Sequence, residues 1–171
     1  MEGVNSGIGS RILVKDSLIR PSNTTAYTAL DVISEVTTNA HFTFGTDGKR
    51  IVFPNANQNG VIRGARLHSS AAQGTLPDID LWLFRADIAN VADNAAFAPT
   101  DAEALTVIAI LNFDTFVKGG TNSVGFFTSL YREFHLTDPE KIYGQMVVQN
   151  AYTPVSAETF TCELDIERFG Y

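Results

Sequence analysis

The strongest constraint on the fold is the alternation of apolar and polar side chains between residues 158 and 169. Apolar residues stand at every second position of this segment, with threonines and acids between them: Phe160, Cys162, Leu164 and Ile166 against Thr159, Thr161, Glu163, Asp165 and Glu167. Because successive side chains of a strand point to opposite faces, this period predicts a strand with one core face and one solvated, acidic face.

The rest of the chain repeats this pattern in shorter form. Runs of β-branched and aromatic residues, broken by Gly, Asn, Asp and Pro, lie at 11–20, 40–44, 50–53, 60–69, 79–86, 105–113, 123–136 and 141–151. Such spacing is typical of an all-β sandwich or barrel. Helical signals are confined to residues 90–104, where Thr100 and Glu103 have the spacing of a capping box. The pattern predicts one antiparallel β domain with at most one or two short helical turns in that region.

Glycine-rich segments mark the ends and turns of this domain. Residues 1–10 carry three glycines and two serines without a period, which is typical of a flexible arm, so we expect the β domain to cover residues 11–171. Asp47 and Gly48 form an Asp-Gly pair that predicts a hairpin turn. Gly119-Gly120, followed by Asn122, predicts a second tight turn.

One strand is apolar on both faces. Leu81 and Leu83 point one way, while Trp82 and Phe84 point the other. An exposed Trp and Phe pair would forgo several kcal/mol of burial, so a cover is expected over the second face. A loop, the short helix or the alanine-rich connection near residue 90 could supply it, as could a neighbouring subunit.

The charge balance disfavours two classes of partner. Twelve Lys and Arg against nineteen Asp and Glu give a net charge of −7, the wrong sign for neutralising phosphates or an anionic membrane. The longest apolar stretch, residues 107–111, is far shorter than a membrane helix. We therefore expect no direct contact with nucleic acid and no membrane association.

Catalytic and metal-binding patterns are weak. His41, His68 and His135 do not have metal-ligand spacing, and no phosphate loop or nucleophile elbow occurs. Glu163, Asp165 and Glu167 share one strand face, where acids are ordinarily solvated, although a carboxylate hydrolase stays open as a minor alternative. Cys162 alternates with apolar residues and is expected to be buried. We expect no catalytic, cofactor or metal site.

Five segments, taken together and in order, carry a resemblance to a known family: residues 23–33, 60–67, 79–84, 93–103 and 142–148. The chain resembles small structural proteins of tailed bacteriophages that are encoded near the major capsid protein and are regarded as head decoration or cement proteins. These segments are structural patterns without catalytic content.

The resemblance implies a jelly-roll-like sandwich that sits on the outer surface of the capsid, as a symmetric oligomer with a trimer as one option, and clamps the major capsid protein. No catalytic residue is carried over, so the protein is expected not to be an enzyme. Candidate partner contacts follow from expected exposure: Val4 and Ile8 in the arm, Trp82 and Phe84 on the second face, and the turn residues Asp47 and Asn122. An alternative is a tail-fibre or adhesion module that binds a host surface glycan through exposed aromatic rings.

Overall fold

The structure, a computed structural model, describes residues 10–45, 59–72, 77–128, 130–136 and 141–169. Within these ranges the chain forms eleven strands and one short helix: β1 (Ser10–Ile19), β2 (Val32–Ile33), β3 (Phe42–Phe44), β4 (Asn59–Ser69), β5 (Ile79–Phe84), α1 (Asp101–Ala104), β6 (Val107–Phe113), β7 (Phe116–Gly119), β8 (Asn122–Phe127), β9 (Arg132–His135), β10 (Ile142–Val148) and β11 (Thr159–Arg168). The all-β prediction is confirmed, and so is the single short helix between residues 90 and 104.

The strands form two antiparallel sheets that pack face to face. The front sheet has the order β1-β11-β4-β8-β7, with β9 also paired to β4; the back sheet has the order β2-β10-β5-β6, with β3 also paired to β10. The chain crosses between the sheets after β1, β3, β4, β6, β9 and β10. This alternation, with the first and last strands paired in one sheet, is the strand order of a jelly roll. The sandwich prediction is therefore confirmed.

β11 has the alternation that its sequence predicts. Phe160, Cys162, Leu164 and Ile166 are fully buried between the sheets, and the residues between them are partly exposed. β11 pairs along its whole length with β1, from Ser10 opposite Arg168 to Ile19 opposite Thr159. β1 begins at Ser10, which is one residue before the predicted start of the β domain. Residues 1–9 of the predicted arm lie outside the described residues.

The outer face of the back sheet is covered by the chain itself. β10 is buried at every position, and Phe84, Ile88 and Tyr143 form a second apolar cluster on this face, with Trp82 and Phe97 packed against it. The rings of Trp82 and Phe97 meet edge to face with centroids 5.2 Å apart. The sequence left open whether the chain itself or a neighbouring subunit covers this face. The structure shows a cover from the chain itself, formed by the connection between β5 and β6.

The turns agree with their sequence signals where the structure describes them. Gly120 has φ +71 between the paired strands β7 and β8, a conformation that glycine adopts at little cost. Thr100 and Glu103 form both halves of the predicted capping box. The Asp47 turn lies outside the described residues. In the part of the chain that the structure describes, no helix is long and apolar enough to cross a membrane.

Candidate interaction surface

The outward side of the front sheet is broad and open to solvent. We call it the front face and define it by the side chains that alternate with the core residues: Arg11, Leu13, Lys15, Ser17 and Ile19 of β1; Thr159, Thr161, Glu163, Asp165 and Glu167 of β11; Arg63, Arg66 and His68 of β4; Val124 and Phe126 of β8; Val117 of β7; and Glu133 of β9, with Tyr131 just before it. Val61 of β4 is on the same side of the sheet but is fully buried, so it is not counted in this face. This face lies opposite the core because the period of a strand is two.

Charges on the front face are arranged in stripes that follow the strands. The acids of β11 lie between cations on both neighbours: Arg11 pairs with Asp165, Arg63 with Glu167, and Arg66 with Glu163. In the last pair, Arg66 Nη2 lies 3.1 Å from Glu163 Oε1. The hydrogen bond and charge of Asp165 raise the pKa of Arg11. Exposed pairs of this kind contribute little stability each.

The front face is electrically balanced in a chain that is strongly acidic. Its cations are Arg11, Lys15, Arg63 and Arg66, and its anions are Glu133, Glu163, Asp165 and Glu167. The formal charge of the whole chain is −7. The excess of acid therefore lies elsewhere on the molecule.

Large apolar side chains project from both flanks of these stripes. Phe126 is 58% exposed and Val117 is 62% exposed on the β8 and β7 side, while Leu13 and Ile19 are each 48% exposed on β1. Tyr131 is also exposed, and the Arg63 guanidinium lies 4.7 Å from the centre of its ring. These exposed apolar groups make the front face the candidate contact surface of the described residues.

Phe126 stands between two shallow hollows in this face. One hollow, of about 370 Å³, is lined by Leu13, Gly64 and Phe126 among others. The other, of about 430 Å³, lies on the opposite side of Phe126 and is lined by Lys15, His68 and Thr161 among others. The front face thus combines a projecting ring with recesses that could receive one.

Two of the predicted contact residues, Trp82 and Phe84, lie in the back sheet. Phe84 has no exposed surface, and Trp82 lies partly buried against Phe97. The prediction that Phe84 contacts a partner is therefore wrong, because its side chain packs inside the molecule. Asn122 begins β8 opposite Gly119 and stays a prediction as a contact. Val4, Ile8 and Asp47 lie outside the described residues.

The histidines occupy three different environments. His41 is buried, with Nε2 3.3 Å from Asp87 Oδ1, and its burial lowers the pKa of its imidazole. His68 lies on the front face, and His135 Nδ1 lies 2.8 Å from Asn59 Oδ1. Among the residues that the structure describes, no three His, Cys, Asp or Glu side chains are grouped to hold a metal.

Cys162 is buried as predicted, and burial raises the pKa of its thiol. A thiol with a raised pKa carries little of the thiolate that acts as a nucleophile. The acids Glu163, Asp165 and Glu167 each have an arginine partner. Their arrangement in the structure is a charge ladder across three strands.

Sequence reasoning missed the front-face residues Leu13, Arg63, Arg66 and Phe126. One signal could have found Phe126: it stands next to Phe127 in a strand, so one of the two rings has to face outward. The arginine partners of the β11 acids had no such signal, because strand pairing between distant segments decides them.

The observed class is an all-β sandwich with jelly-roll strand order and one open, striped sheet face. No family model matches the chain, and no curated protein matches it. Among solved structures, the chain is similar to one described as "Cyanophage Pam1 capsid asymmetric unit", with 16% sequence identity, a TM-score of 0.39, and coverage of 99% of this chain and 91% of that chain.

Proposed function

We propose that the protein is a non-enzymatic structural protein of a bacteriophage virion, and that it decorates or cements the outer surface of the capsid. The observation that carries the proposal is the front face, with its paired charge stripes, exposed apolar groups and shallow relief. A flat surface of this composition suits contact with another folded protein. The resemblance of five sequence segments to phage head proteins supplies the identity of the assembly.

The proposed mode of action is multivalent. An oligomer that places the same weak contact on several capsid subunits gains avidity, because later contacts form at high effective concentration. Such a protein would hold neighbouring major capsid subunits together without any single strong site. The acidic character of the rest of the chain suits the outside of a DNA-filled shell.

The decisive experiment is co-sedimentation of the purified protein with empty, assembled capsids of the phage that encodes it. The proposal expects saturable binding at a fixed ratio to the major capsid protein, and a rise in the temperature at which the shells break. Capsids of an unrelated phage are the control. Absence of binding, or equal binding to both kinds of shell, contradicts the proposal.

A second arm of the experiment tests the amino-terminal segment. A variant that lacks Met1–Gly9 keeps all of β1, so it is expected to fold like the full chain. If the arm contacts the shell, this variant binds shells more weakly at unchanged thermal stability. Unchanged shell binding would remove Val4 and Ile8 from the proposed contacts. Saturable binding to a glycan in place of shells would favour the adhesion alternative.

A further inference from the structure

We infer that two copies of this chain pair through their front faces, about a two-fold axis that runs parallel to the strands between β11 and β4. This inference deepens the proposed function, since it rests on the proposed oligomeric role and names the surface involved. The occupant of the front face is then a second copy.

The register places four kinds of side chain in one row across the front face. Lys15 of β1 is opposite Glu163 of β11, Glu163 is opposite Arg66 of β4, and Arg66 is opposite Phe126 of β8. A two-fold axis between β11 and β4 reverses the order of the strands and keeps the level along them. Glu163 of each copy would face Arg66 of the other, and Lys15 would face the ring of Phe126.

The same rotation gives one further charge pair. At one end, Arg11, Glu167, Val61 and Glu133 share a level across β1, β11, β4 and β9, so Arg11 would face Glu133 of the second copy. Glu167 and Asp165 would face the uncharged Val61 and Gly64, and each keeps its arginine partner within its own chain. The rotation thus brings the charges of the Lys15 row, together with Arg11 and Glu133, to a partner of opposite sign or to an aromatic ring.

This self-complementarity favours a second copy over an unrelated partner. A surface that binds a different protein has to match that protein, and nothing requires it to match itself. A closed two-fold contact requires self-matching, because the same patch is used twice. The neutral balance of the face, in a chain of charge −7, avoids the repulsion that two acidic surfaces would have.

The size of the face is adequate for a stable dimer. The axis superposes four strand positions, β1-β11-β4-β8, on their counterparts, and β1 has ten residues. Strand dimensions then give roughly 600 Å² per copy and about 1,200 Å² in total. That area is at the lower end of stable interfaces. Phe126 and Leu13, one on each side of the axis, would supply the apolar contacts, and the hollow over Gly64 leaves room beside them.

The first test compares two serine substitutions at exposed apolar residues. Phe126→Ser removes the ring from the proposed interface, and Leu105→Ser is the control, since Leu105 is 77% exposed just after α1 and outside the front face. Sedimentation velocity is expected to show a dimer for the wild type and for L105S. F126S should dimerise at least about tenfold more weakly, as loss of an aromatic anchor does at other interfaces.

The second test uses charge reversal and mixing. Glu163→Arg and Arg66→Glu each place like charges opposite one another in the dimer, so each variant alone is expected to be monomeric. Mixed together, the two variants are expected to form a heterodimer. In it, position 163 of each copy faces a residue of opposite charge at position 66 of the other copy. The pairs within each chain stay repulsive in the mixture, so a purely intramolecular role for these residues is not rescued by mixing.

These results separate the inference from the proposed function. A monomeric wild type, an F126S protein with unchanged assembly, or a mixture that stays monomeric overturns the front-face dimer. Shell binding by such a protein would leave the virion role standing. Conversely, a wild type that dimerises through Phe126 and ignores capsids keeps the dimer and removes the capsid role.

Discussion

Arg20 is fully buried where three loops converge, and it holds them together with hydrogen bonds from one guanidinium. Its Nε donates to Tyr27 Oη at 2.9 Å, and its Nη1 donates to the carbonyl oxygens of Asn23 at 2.8 Å and Val155 at 3.2 Å. Asp93 Oδ2 lies 3.4 Å from Nη2, and Tyr27 also donates to Asp93. The cluster joins the segment after β1 to the cover over the back sheet and to the segment before β11.

We predict that Arg20→Met lowers the free energy of unfolding by about 3–5 kcal/mol, because it leaves the Asp93 carboxylate buried without its cation. Chemical denaturation measures the loss. Arg20→Met combined with Asp93→Asn is expected to lose less than the single variant, since no buried charge is then unpaired. Equal losses in the two variants would show that the charge of Asp93 does not matter.

Glu35 gives a pH dependence with a defined direction. Its Oε2 accepts hydrogen bonds from the backbone and hydroxyl groups of Thr37 and Thr38, and these bonds, that of the Thr37 hydroxyl first, lower the pKa of Glu35 to about 2 from an ordinary value of 4.5. A carboxylate with a lowered folded-state pKa stabilises the fold above its unfolded pKa and stops doing so as the pH falls through its folded pKa.

Glu35→Gln is therefore expected to be less stable than the wild type near pH 6, and the difference should shrink as the pH falls from about 4.5 towards 2. Urea denaturation at pH 6 and at pH 3, with both proteins, measures it. A difference between the proteins that is constant over this range would contradict the assigned cause.

Among the structural elements, the cover over the back sheet can be followed by the fluorescence of Trp82. Trp82 is the one tryptophan of the chain, and its ring packs on Phe97 in the cover. We predict that Phe97→Ala shifts Trp82 emission to longer wavelength and raises its quenching by acrylamide, because water reaches the indole. Loss of part of the aromatic contact should cost about 1–3 kcal/mol.

Phe126→Ala is the control for this measurement, since Phe126 lies on the other sheet. Its Trp82 emission should match that of the wild type. Unchanged emission in the Phe97→Ala protein would mean that the connection between β5 and β6 does not shield the indole in solution.

Strands with strict alternation could be predicted from the sequence. The cover over the back sheet and the arginine partners of the β11 acids could not. β11 needs only its own period of two to define its buried face. Residues 85–100 have no period, so their position over Trp82 depends on packing that the local sequence does not express. On the front face, a register shift between Asp165 and Ile166 brings Arg63 beside Glu167. A bulge of this kind arises only when two distant strands pair.

The contacts of Arg20 could not be predicted either, because they too depend on residues that are distant in the sequence. Arg20 ends a predicted strand run, and its partners lie in three separate segments of the chain, at positions 23–27, 93 and 155. The capping box of α1 is the opposite case: Thr100 and Glu103 are three residues apart, so a local pattern contains the whole interaction.

At the scale of the whole molecule, the jelly roll brings the ends of the described chain together. Ser10 pairs with Arg168, so β1 and β11 join segments from opposite ends of the sequence. Closing so long a loop costs entropy before the pairing can stabilise the fold, and topologies dominated by such contacts fold slowly. β11 is also the central neighbour of β4, so the front sheet is incomplete until the last strand is in place.

A circular permutant tests whether this pairing limits the folding rate. Joining Tyr171 to Met1 links β11 to β1 through residues 169–171 and 1–9, and turns the two strands into one hairpin. New ends can be opened between Ser156 and Ala157, which are exposed and where the backbone hydrogen bonds from Ala157 and Glu158 are long, at 3.3 Å. We predict unchanged far-ultraviolet circular dichroism, stability within about 1 kcal/mol of the wild type, and refolding at least about threefold faster.

Stopped-flow refolding followed by Trp82 fluorescence measures the rate, since the indole becomes packed only when the back sheet and its cover have formed. A second permutant, opened between Thr37 and Thr38 with the same join, repeats the test at another exposed turn. Its refolding is compared with the others at equal stability, because the cut lies among the hydrogen bonds that these threonines donate to Glu35. Both permutants shorten the β1–β11 connection, so both should refold faster if this pairing is rate-limiting. Rates equal to that of the wild type would instead place the slow step in the assembly of the back sheet, because opening the chain between Ser156 and Ala157 leaves the sequence separations of its four strand pairs unchanged.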